Sequence, residues 1–350
     1  MSVWKHGKPL IVPIFIPNQG CPGRCIFCNQ EAITTQTKPV IDGSHVKQIL
    51  DKALDSNTFQ SSHPGYRHKE VAFYGGTFTR LPVSKMVELL EAVEPYLRQG
   101  HFQTVRISTR PDAINQERLF LIKKLGVSTI ELGVQSLDDD VLRLSRRGYA
   151  AGHVMESVHM IKKLGFKLGI QLMPGLPGDS KERFMETIQK VIAIKPDMVR
   201  LYPAIVIKDT ELERLYHANE YKPLSLEEAV SICRESCIQL ENQDIPVIRI
   251  GLMSSPSLTE EGQIVAGPWH EAFGFLVRSG IHQKTIEPYL PRQKTVQRFG
   301  IRAPNREIAL IRGYKNQGLD LIEHHTGAKL IYIRPDDSVP SGQVAVDRIG

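Results

Sequence analysis

Residues 11–28 read IVPIFIPNQGCPGRCIFC, an apolar strand-like segment followed by three closely spaced cysteines, Cys21, Cys25 and Cys28. The spacing is C-x3-C-x2-C, and the next cysteine in the chain is Cys233. Clusters that only transfer electrons are held by four cysteine thiolates. Three thiolates on one loop can hold three irons of a [4Fe-4S] cubane and leave the fourth iron open to a substrate or cosubstrate. The run therefore predicts an enzyme with a reactive iron–sulfur cluster.

Two other interpretations of the cysteine loop fit less well. A structural zinc site takes four ligands, but no Cys or His follows Cys28 until His45, and His6 would have to fold back. A disulfide framework is typical of small secreted domains, whereas this chain has 350 residues and 5 Cys. The iron–sulfur interpretation is favoured.

Length and composition indicate a large enzyme. With 350 residues and 41% hydrophobic content, the chain can bury one large domain and carry a smaller appendage. No apolar run approaches the roughly 20 residues that cross a bilayer. The N-terminal sequence MSVWKHGKPL lacks the apolar core of a signal peptide. Thiolates and an oxygen-sensitive cluster need a reducing compartment, so we expect a cytoplasmic protein without membrane contact.

Short strand-like runs alternate with helical ones, which is typical of repeated βα units. The alternation predicts an α/β fold, an incomplete parallel (β/α) barrel of about six βα units within residues 1–255. Residues 256–350 are expected to form a small α+β C-terminal extension. The predicted strands are residues 11–17, 70–74, 104–108, 129–134, 167–173, 198–203 and 247–252.

Local patterns predict some helices and the build of the extension. Ser225 and Glu228 form a capping box for a helix, on which Cys233 and Cys237 are expected to be small core residues rather than ligands. Residues 83–93 repeat apolar side chains at helical spacing. Segments 307–314, 317–326 and 329–334 predict a small βαβ element.

The extension carries a concentration of positive charge. Between Arg278 and Lys315 nine Lys and Arg oppose two acids, a net of +7 within a chain whose net charge is +6. Such a patch suits a polyanion such as RNA, although a solvated basic face is an equally good interpretation. The nine are Arg278, Lys284, Arg292, Lys294, Arg298, Arg302, Arg306, Arg312 and Lys315.

The cysteine triplet resembles the radical S-adenosylmethionine (radical SAM) superfamily. The resemblance implies that the open iron chelates the amino and carboxylate groups of SAM. It also implies that an electron, from a donor of flavodoxin or ferredoxin type, cleaves SAM to a 5′-deoxyadenosyl radical. Phe27 stands where the family has an aromatic residue near the adenine, and a core aromatic is an equally good interpretation of it.

The resemblance also assigns SAM contacts to residues at the ends of predicted strands, where βα barrels carry their chemistry. Two of them depart from coproporphyrinogen oxidase-type relatives, which have glutamate at Ser108 and aspartate at Gln171. Arg147 is expected to contact the SAM carboxylate, because its offset from Gln135 matches the family, and to share one helix with Arg143 and Arg146. The assigned residues are Gly75, Gly76, Thr77, Ser108, Gln135, Arg147 and Gln171.

Later segments resemble the Elongator catalytic-subunit family, over roughly residues 17–274. They are ISTRPD (107–112), RRGY (146–149), RLYPAIVIKDTEL (200–212), YKP (221–223) and, less specifically, GPWHEAFG (267–274). That family modifies wobble uridines of transfer RNA with radical SAM chemistry and an acetyltransferase domain. This sequence reaches Gly350 with little room for that domain, and its cysteine loop is more compact. We therefore expect SAM cleavage and a tRNA substrate without the acetylation chemistry.

Three polar residues are candidates for proton transfer near the radical, namely Tyr202, Lys208 and His270. Arg110 is expected to face the barrel mouth or to pair with Asp112. Two alternatives stay open: a radical SAM enzyme acting on a small molecule such as a porphyrinogen, and a noncatalytic iron–sulfur or zinc protein that binds nucleic acid.

Overall fold

The computed structural model describes residues 9–34, 41–60, 68–292 and 295–349, which form two compact units. The larger contains the described residues up to Ala229 together with Gln239–Trp269. The smaller contains Val230–Ile238 and the described residues from His270 onwards. The functional division at 255/256 stays a prediction. Within these ranges no helix has the length and apolar character needed to cross a bilayer.

The larger unit is built on a seven-stranded sheet in which every neighbouring pair is parallel. All seven predicted strands are confirmed. Strand order follows the chain, as expected for consecutive right-handed βα units. The strands are Leu10–Phe15 (β1), Lys69–Tyr74 (β2), Thr104–Thr109 (β3), Val127–Gln135 (β4), Lys167–Leu172 (β5), Met198–Leu201 (β6) and, after a short strand Val206–Ile207 (β7), Val247–Ile250 (β8).

Contacts across the inner face show that the sheet curls into an incomplete barrel, as predicted. Three strands separate β2 from β6, yet Arg200 Nη2 lies 2.8 Å from the hydroxyl of Tyr74. Arg106 of β3 reaches Met198 of β6, with 3.0 Å between Nη1 and Sδ. Side chains on the opposite face, such as Ile107, are buried. The inner face is the polar one.

Strand β7 pairs antiparallel with Ile264–Ala266 (β9).

Helices cover the outer face of the seven-stranded sheet. Several of these helices begin at a residue whose side chain accepts a hydrogen bond from the N–H three residues later, which satisfies one of the free donors of the first turn. These residues are Asp42, Asn115, Asp138, Ser180 and Thr210. The helices that lie wholly in the larger unit are Gln30–Thr34 (α1), Gly43–Leu54 (α2), Asn57–Gln60 (α3), Val83–Arg98 (α4), Gln116–Lys124 (α5), Asp139–Leu144 (α6), Ala151–Lys163 (α7), Lys181–Ile194 (α8) and Glu211–His217 (α9). The next helix, Leu226–Glu241 (α10), is divided between the two units.

The predicted capping box at the start of α10 is confirmed. The N–H of Ser225 donates to Glu228 Oε2 at 2.8 Å, and the N–H of Glu228 donates to Ser225 Oγ at 3.2 Å. Cys233 and Cys237 are fully buried on this helix, as expected of core residues.

The smaller unit contains a three-stranded sheet in which Arg298–Ala303 (β10) lies between Lys329–Pro335 (β11) and Ala345–Ile349 (β12). Its middle strand pairs parallel with β11 and antiparallel with β12. Ile286, Phe299, Ile301, Ile311 and Ile322 form its core. The elements are Phe273–Ile286 (α11), Arg298–Ala303 (β10), Ile308–Arg312 (α12), Gln317–Thr326 (α13), Lys329–Pro335 (β11) and Ala345–Ile349 (β12).

One element of the predicted βαβ unit is wrong. Residues 307–314 do not form its first strand, because Ile308–Arg312 is helical and buries only Ile311. The first strand is β10, where Phe299, Ile301 and Ala303 alternate into the core. The helix over 317–326 and the strand over 329–334 are confirmed.

The positive charge between Arg278 and Lys315 is partly neutralised by acidic side chains. Arg302 lies 2.6 Å from Asp336 and 3.0 Å from Asp347, so its charge is paired within the sheet. Arg298 and Arg306 are exposed, and Arg306 Nε lies 3.7 Å from Glu307 Oε1. Lys294 lies outside the described residues.

Candidate functional site

The predicted site residues of the larger unit gather at the C-terminal ends of its strands. The cysteine loop follows β1, Gly75 follows β2, and Ser108 is the second-last residue of β3. Strand β4 ends at Gln135, and β5 ends one residue after Gln171. In parallel βα barrels these ends form the functional edge.

The cysteine loop is held against the turn after β2. The N–H of Thr77 donates to the carbonyl of Gln19 at 2.8 Å. A Cβ on Gly76 would lie 2.5 Å from the Gln19 carbonyl oxygen and 2.6 Å from that of Ile16. The structure thus gives Gly76 a packing reason, because no side chain fits between these backbone segments.

On its other side the loop is fastened to the segment after β7. The N–H of Leu212 donates to the carbonyl of Ile26 at 2.8 Å, and the Asn29 amide donates to the carbonyl of Lys208 at 3.0 Å. The loop is therefore fixed at both of its flanks.

Cys21, Cys25 and Cys28 are free thiols and partly exposed. Cys21 Sγ lies 3.2 Å from the hydroxyl of the fully buried Thr77. Burial, with Cys25 and Cys21 nearby, raises the pKa of Cys28 to about 12. Three thiolates this close need a compensating cation, and a thiol-only donor set suits an iron–sulfur cluster. Within the described ranges no three His, Cys, Asp or Glu side chains are placed to hold a single metal ion.

Arg147 lies beneath the second cysteine. It is 4% exposed, and its Nη1 donates to Cys25 Sγ at 2.9 Å. The same guanidinium donates to the carbonyl of Gly133 and to the hydroxyl of Tyr149. Arg147 therefore binds both the cysteine loop and the end of β4, whereas the sequence predicts only a contact with the SAM carboxylate.

The expected helix shared by Arg143, Arg146 and Arg147 is wrong. Helix α6 ends at Leu144, and Arg146 has a φ of 50°, which turns the chain. Arg146 points to Glu211 at 3.1 Å and is exposed, while Arg147 turns inward.

Arg110 satisfies both of its predicted alternatives. It forms a bidentate pair with Asp112, with 2.8 Å and 3.0 Å between the paired atoms. Its Nη1 also lies 3.6 Å from Cys25 Sγ. A second guanidinium thus faces this sulfur.

The ends of β4 and β5 bring two predicted residues together. Gln135 has a φ of 70° at an irregularity of the strand pairing, a conformation that costs free energy in a residue other than glycine. Gln171 Nε2 lies 3.5 Å from Gln135 Oε1. Ser108 is half-buried on the same inner face.

The remaining predicted residues have mixed surroundings. Phe27 is half-buried and packs against the apolar cluster of Ile26, Val206 and Leu212. The side chain of Lys208 is exposed. His270 belongs to the smaller unit, where its ring meets that of Tyr314 edge-on at 4.7 Å and Nδ1 accepts the N–H of Ala272.

The interior of the barrel holds a network of ion pairs that the sequence does not predict. Arg106, 2% exposed, bonds to Glu70 at 2.8 Å from Nε and to Glu131 at 2.5 Å from Nη1. Glu131 also accepts from Arg200 at 2.9 Å. Two carboxylates and two guanidinium groups balance, which makes burial of the set tolerable.

The network continues to the barrel mouth through two phenols. Arg200 Nη1 donates to the hydroxyl of Tyr202 at 3.1 Å, and Nη2 donates to that of Tyr74 at 2.8 Å. Tyr202, a predicted proton-transfer residue, is therefore an acceptor for a guanidinium at the end of β6.

Comparisons with known proteins agree with this geometry. Residues 15–191 match the profile of the Radical SAM superfamily, and residues 196–283 match that of the Radical_SAM C-terminal domain. A tRNA uridine(34) acetyltransferase of Methanocaldococcus infernus is 36% identical over 129 residues, 36% of this chain and 24% of that protein. An uncharacterized protein of Methanocaldococcus jannaschii is 27% identical over 249 residues, 69% of this chain and 74% of that protein.

Among solved structures, the archaeal Methanocaldococcus infernus Elp3 with an N-terminal deletion superposes with a TM-score of 0.60 at 22% identity. The superposition covers 79% of this chain and 63% of that one. At this identity the likeness shows the fold alone. The match to the acetyltransferase spans about a quarter of that protein's length.

Proposed function

This chain belongs to the radical SAM superfamily, and from that premise we propose that it binds a [4Fe-4S] cluster and SAM and modifies a uridine of transfer RNA. The observation that carries the proposal is the trio of free, partly exposed cysteines on a loop fixed at both flanks. When bound, the cluster supplies the electron that cleaves SAM to a 5′-deoxyadenosyl radical. The protein supplies placement and exclusion of water.

Residues around the loop hold and orient the ligands of the cluster. Cys21, Cys25 and Cys28 supply the three thiolates. The Thr77 hydroxyl orients the first sulfur at 3.2 Å, and Arg147 donates to the second at 2.9 Å. A charge-assisted donor to a ligating sulfur stabilises its thiolate form.

Residues at the ends of β4 and β5 face the space where SAM is expected. The amides of Gln135 and Gln171 present donors and acceptors that suit ribose hydroxyls. Gly75, Ser108 and Phe27 remain predicted contacts on the family resemblance. An electron donor of flavodoxin or ferredoxin type is the partner that this chemistry requires.

We predict that Arg147→Lys slows 5′-deoxyadenosine formation roughly 10- to 150-fold per cluster, since a hydrogen bond to a charged group contributes about 1.5–3 kcal/mol. An ammonium cannot reach Cys25, the Gly133 carbonyl and Tyr149 in one plane as the guanidinium does. The measurement is product formation under dithionite, normalised to iron content. Arg146→Lys, an exposed neighbour that pairs with Glu211, is the matched control and leaves the rate unchanged. Equal rates in both variants would show that Arg147 only fills space.

The RNA part of the proposal is supported by the similarity to tRNA uridine(34) acetyltransferases. Exposed Arg298 and Arg306 of the smaller unit offer phosphate contacts. Lysine and arginine contacts to phosphates release counterions, so binding weakens as salt rises.

The test captures RNA on the anaerobically purified protein and compares nucleosides of wild-type and deletion strains. We expect transfer RNA in the captured fraction and one modified uridine missing from the deletion strain. In the double variant Arg298→Gln, Arg306→Gln we expect the slope of log K for tRNA binding against log salt concentration to become shallower by up to about 2, about 1 for each lost phosphate contact. Arg143→Gln, exposed on α6, serves as the control. A bound small molecule and unchanged nucleosides would favour the small-molecule alternative, and absence of SAM binding would favour a noncatalytic protein.

A further inference from the structure

Arg200 has donors that the described residues do not use. A guanidinium carries five N–H groups. Those on Nη1 and Nη2 bond to Tyr202, Tyr74 and Glu131. Its Nε is buried, and no described residue accepts from it. The group is fixed by Glu131 below and lies 5.1 Å from the centre of the Tyr74 ring.

The two phenols on Arg200 have protons to donate. Each hydroxyl oxygen accepts from the guanidinium, so its own hydrogen must point elsewhere. Among the described residues, Arg200 alone forms a hydrogen bond with either hydroxyl. Burial raises the pKa of Tyr74, with Glu131 adding to the rise against the opposing guanidinium groups. The phenol therefore keeps its proton at neutral pH.

The position of the pair suits a ligand at the barrel mouth. Tyr74 is the last residue of β2, directly before the turn that contacts Cys21 through Thr77. Tyr202 directly follows β6, and its N–H donates to the carbonyl of Leu172 at the end of β5. The hydroxyls thus approach one guanidinium from two walls of the barrel.

We propose that Tyr74 and Tyr202, polarised by Arg200, form the subsite that binds the carbonyl oxygens of the substrate's heterocycle. The inference rests on the proposed function and deepens it, because uracil presents two carbonyl oxygens on one planar ring. Two fixed O–H donors fit two acceptors. A ring that lacks an acceptor leaves a buried donor unpaired, which is the strongest means of rejection that a polar pocket has.

The test uses the full-length, cluster-loaded protein and an anticodon stem–loop RNA with uridine at the wobble position. Tyr74→Phe and Tyr202→Phe remove only the hydroxyl. We expect each to weaken RNA binding or RNA-dependent turnover roughly three- to tenfold, as loss of one neutral hydrogen bond does. Iron content and the far-UV circular dichroism spectrum at wild-type values show that the variants fold and bind the cluster. Tyr96→Phe, which removes an exposed hydroxyl on α4, is the control and changes neither RNA binding nor RNA-dependent turnover.

A second arm replaces one uracil oxygen by sulfur, a weaker acceptor, using 2-thiouridine or 4-thiouridine in the same RNA. Wild type discriminates against the thio-RNA, and the variant that lacks the facing hydroxyl loses that discrimination. Phe variants that bind and discriminate as wild type does would overturn the subsite while leaving the proposed function intact. A wild-type protein that forms 5′-deoxyadenosine but ignores the RNA would overturn both.

Discussion

Cys25→Ser is expected to abolish SAM cleavage, with 5′-deoxyadenosine falling to the level seen without enzyme. The serine hydroxyl is a poor iron ligand, and Cys25 is the sulfur that Arg147 and Arg110 both face. Iron and sulfide content after anaerobic reconstitution should fall with the activity. The measurement is product formation under dithionite beside metal analysis.

The matched control for this prediction is Cys233→Ala, a cysteine buried in α10. Its loss costs about 1 kcal/mol of stability through the small cavity that it leaves, while iron content and SAM cleavage stay at wild-type values. Full activity in Cys25→Ser, or iron lost equally in Cys233→Ala, would contradict the assignment of the cluster to the loop.

Glu131→Gln is expected to lower the free energy of unfolding by about 3–5 kcal/mol, the cost of removing one partner of a buried ion pair. The carboxylate accepts from both Arg106 and Arg200, so its neutral replacement leaves two guanidinium groups opposed by Glu70 alone. Urea denaturation of the anaerobic protein measures the change.

Glu94→Gln, which removes an exposed carboxylate paired with Arg98 on α4, is the control and should leave stability unchanged. Exposed pairs contribute little because water screens them. A loss below about 1 kcal/mol in Glu131→Gln would show that the barrel interior is wetter or more plastic than this network implies.

Much of the barrel was predictable because strands and loops carry local signals. The apolar runs end shortly before Cys21, directly before Gly75 and at Gln135, and parallel strands place those ends at one edge. The family resemblance assigns Gly76 to a SAM contact, and its nearest neighbours in the structure are the backbone carbonyls of Gln19 and Ile16, just before the cysteines. Local sequence shows that a glycine is needed but not which atom approaches it.

The interior network was not predicted because it depends on curl of the sheet. Glu70, Arg106 and Glu131 lie on the adjacent strands β2, β3 and β4, whereas Arg200 on β6 reaches Glu131 only because the sheet curls. A signal was present: strands buried in parallel sheets usually read as continuous apolar runs, yet Thr104–Thr109 places polar residues at alternate positions.

In the C-terminal extension, local sequence signals predict the wrong element. Residues 307–314 have enough apolar character for a strand, but the chain turns after Pro304 and Ile308–Arg312 continues as a helix. The pairing of Arg302 could not be predicted from the basic stretch itself, because its partners Asp336 and Asp347 lie beyond that stretch in the sequence.

The most direct measurement is electron paramagnetic resonance of the reconstituted, dithionite-reduced protein before and after addition of SAM. We expect a [4Fe-4S] signal that changes when SAM binds to the open iron, with 5′-deoxyadenosine appearing afterwards. A bound zinc without iron, or a cluster whose signal is indifferent to SAM, would contradict it.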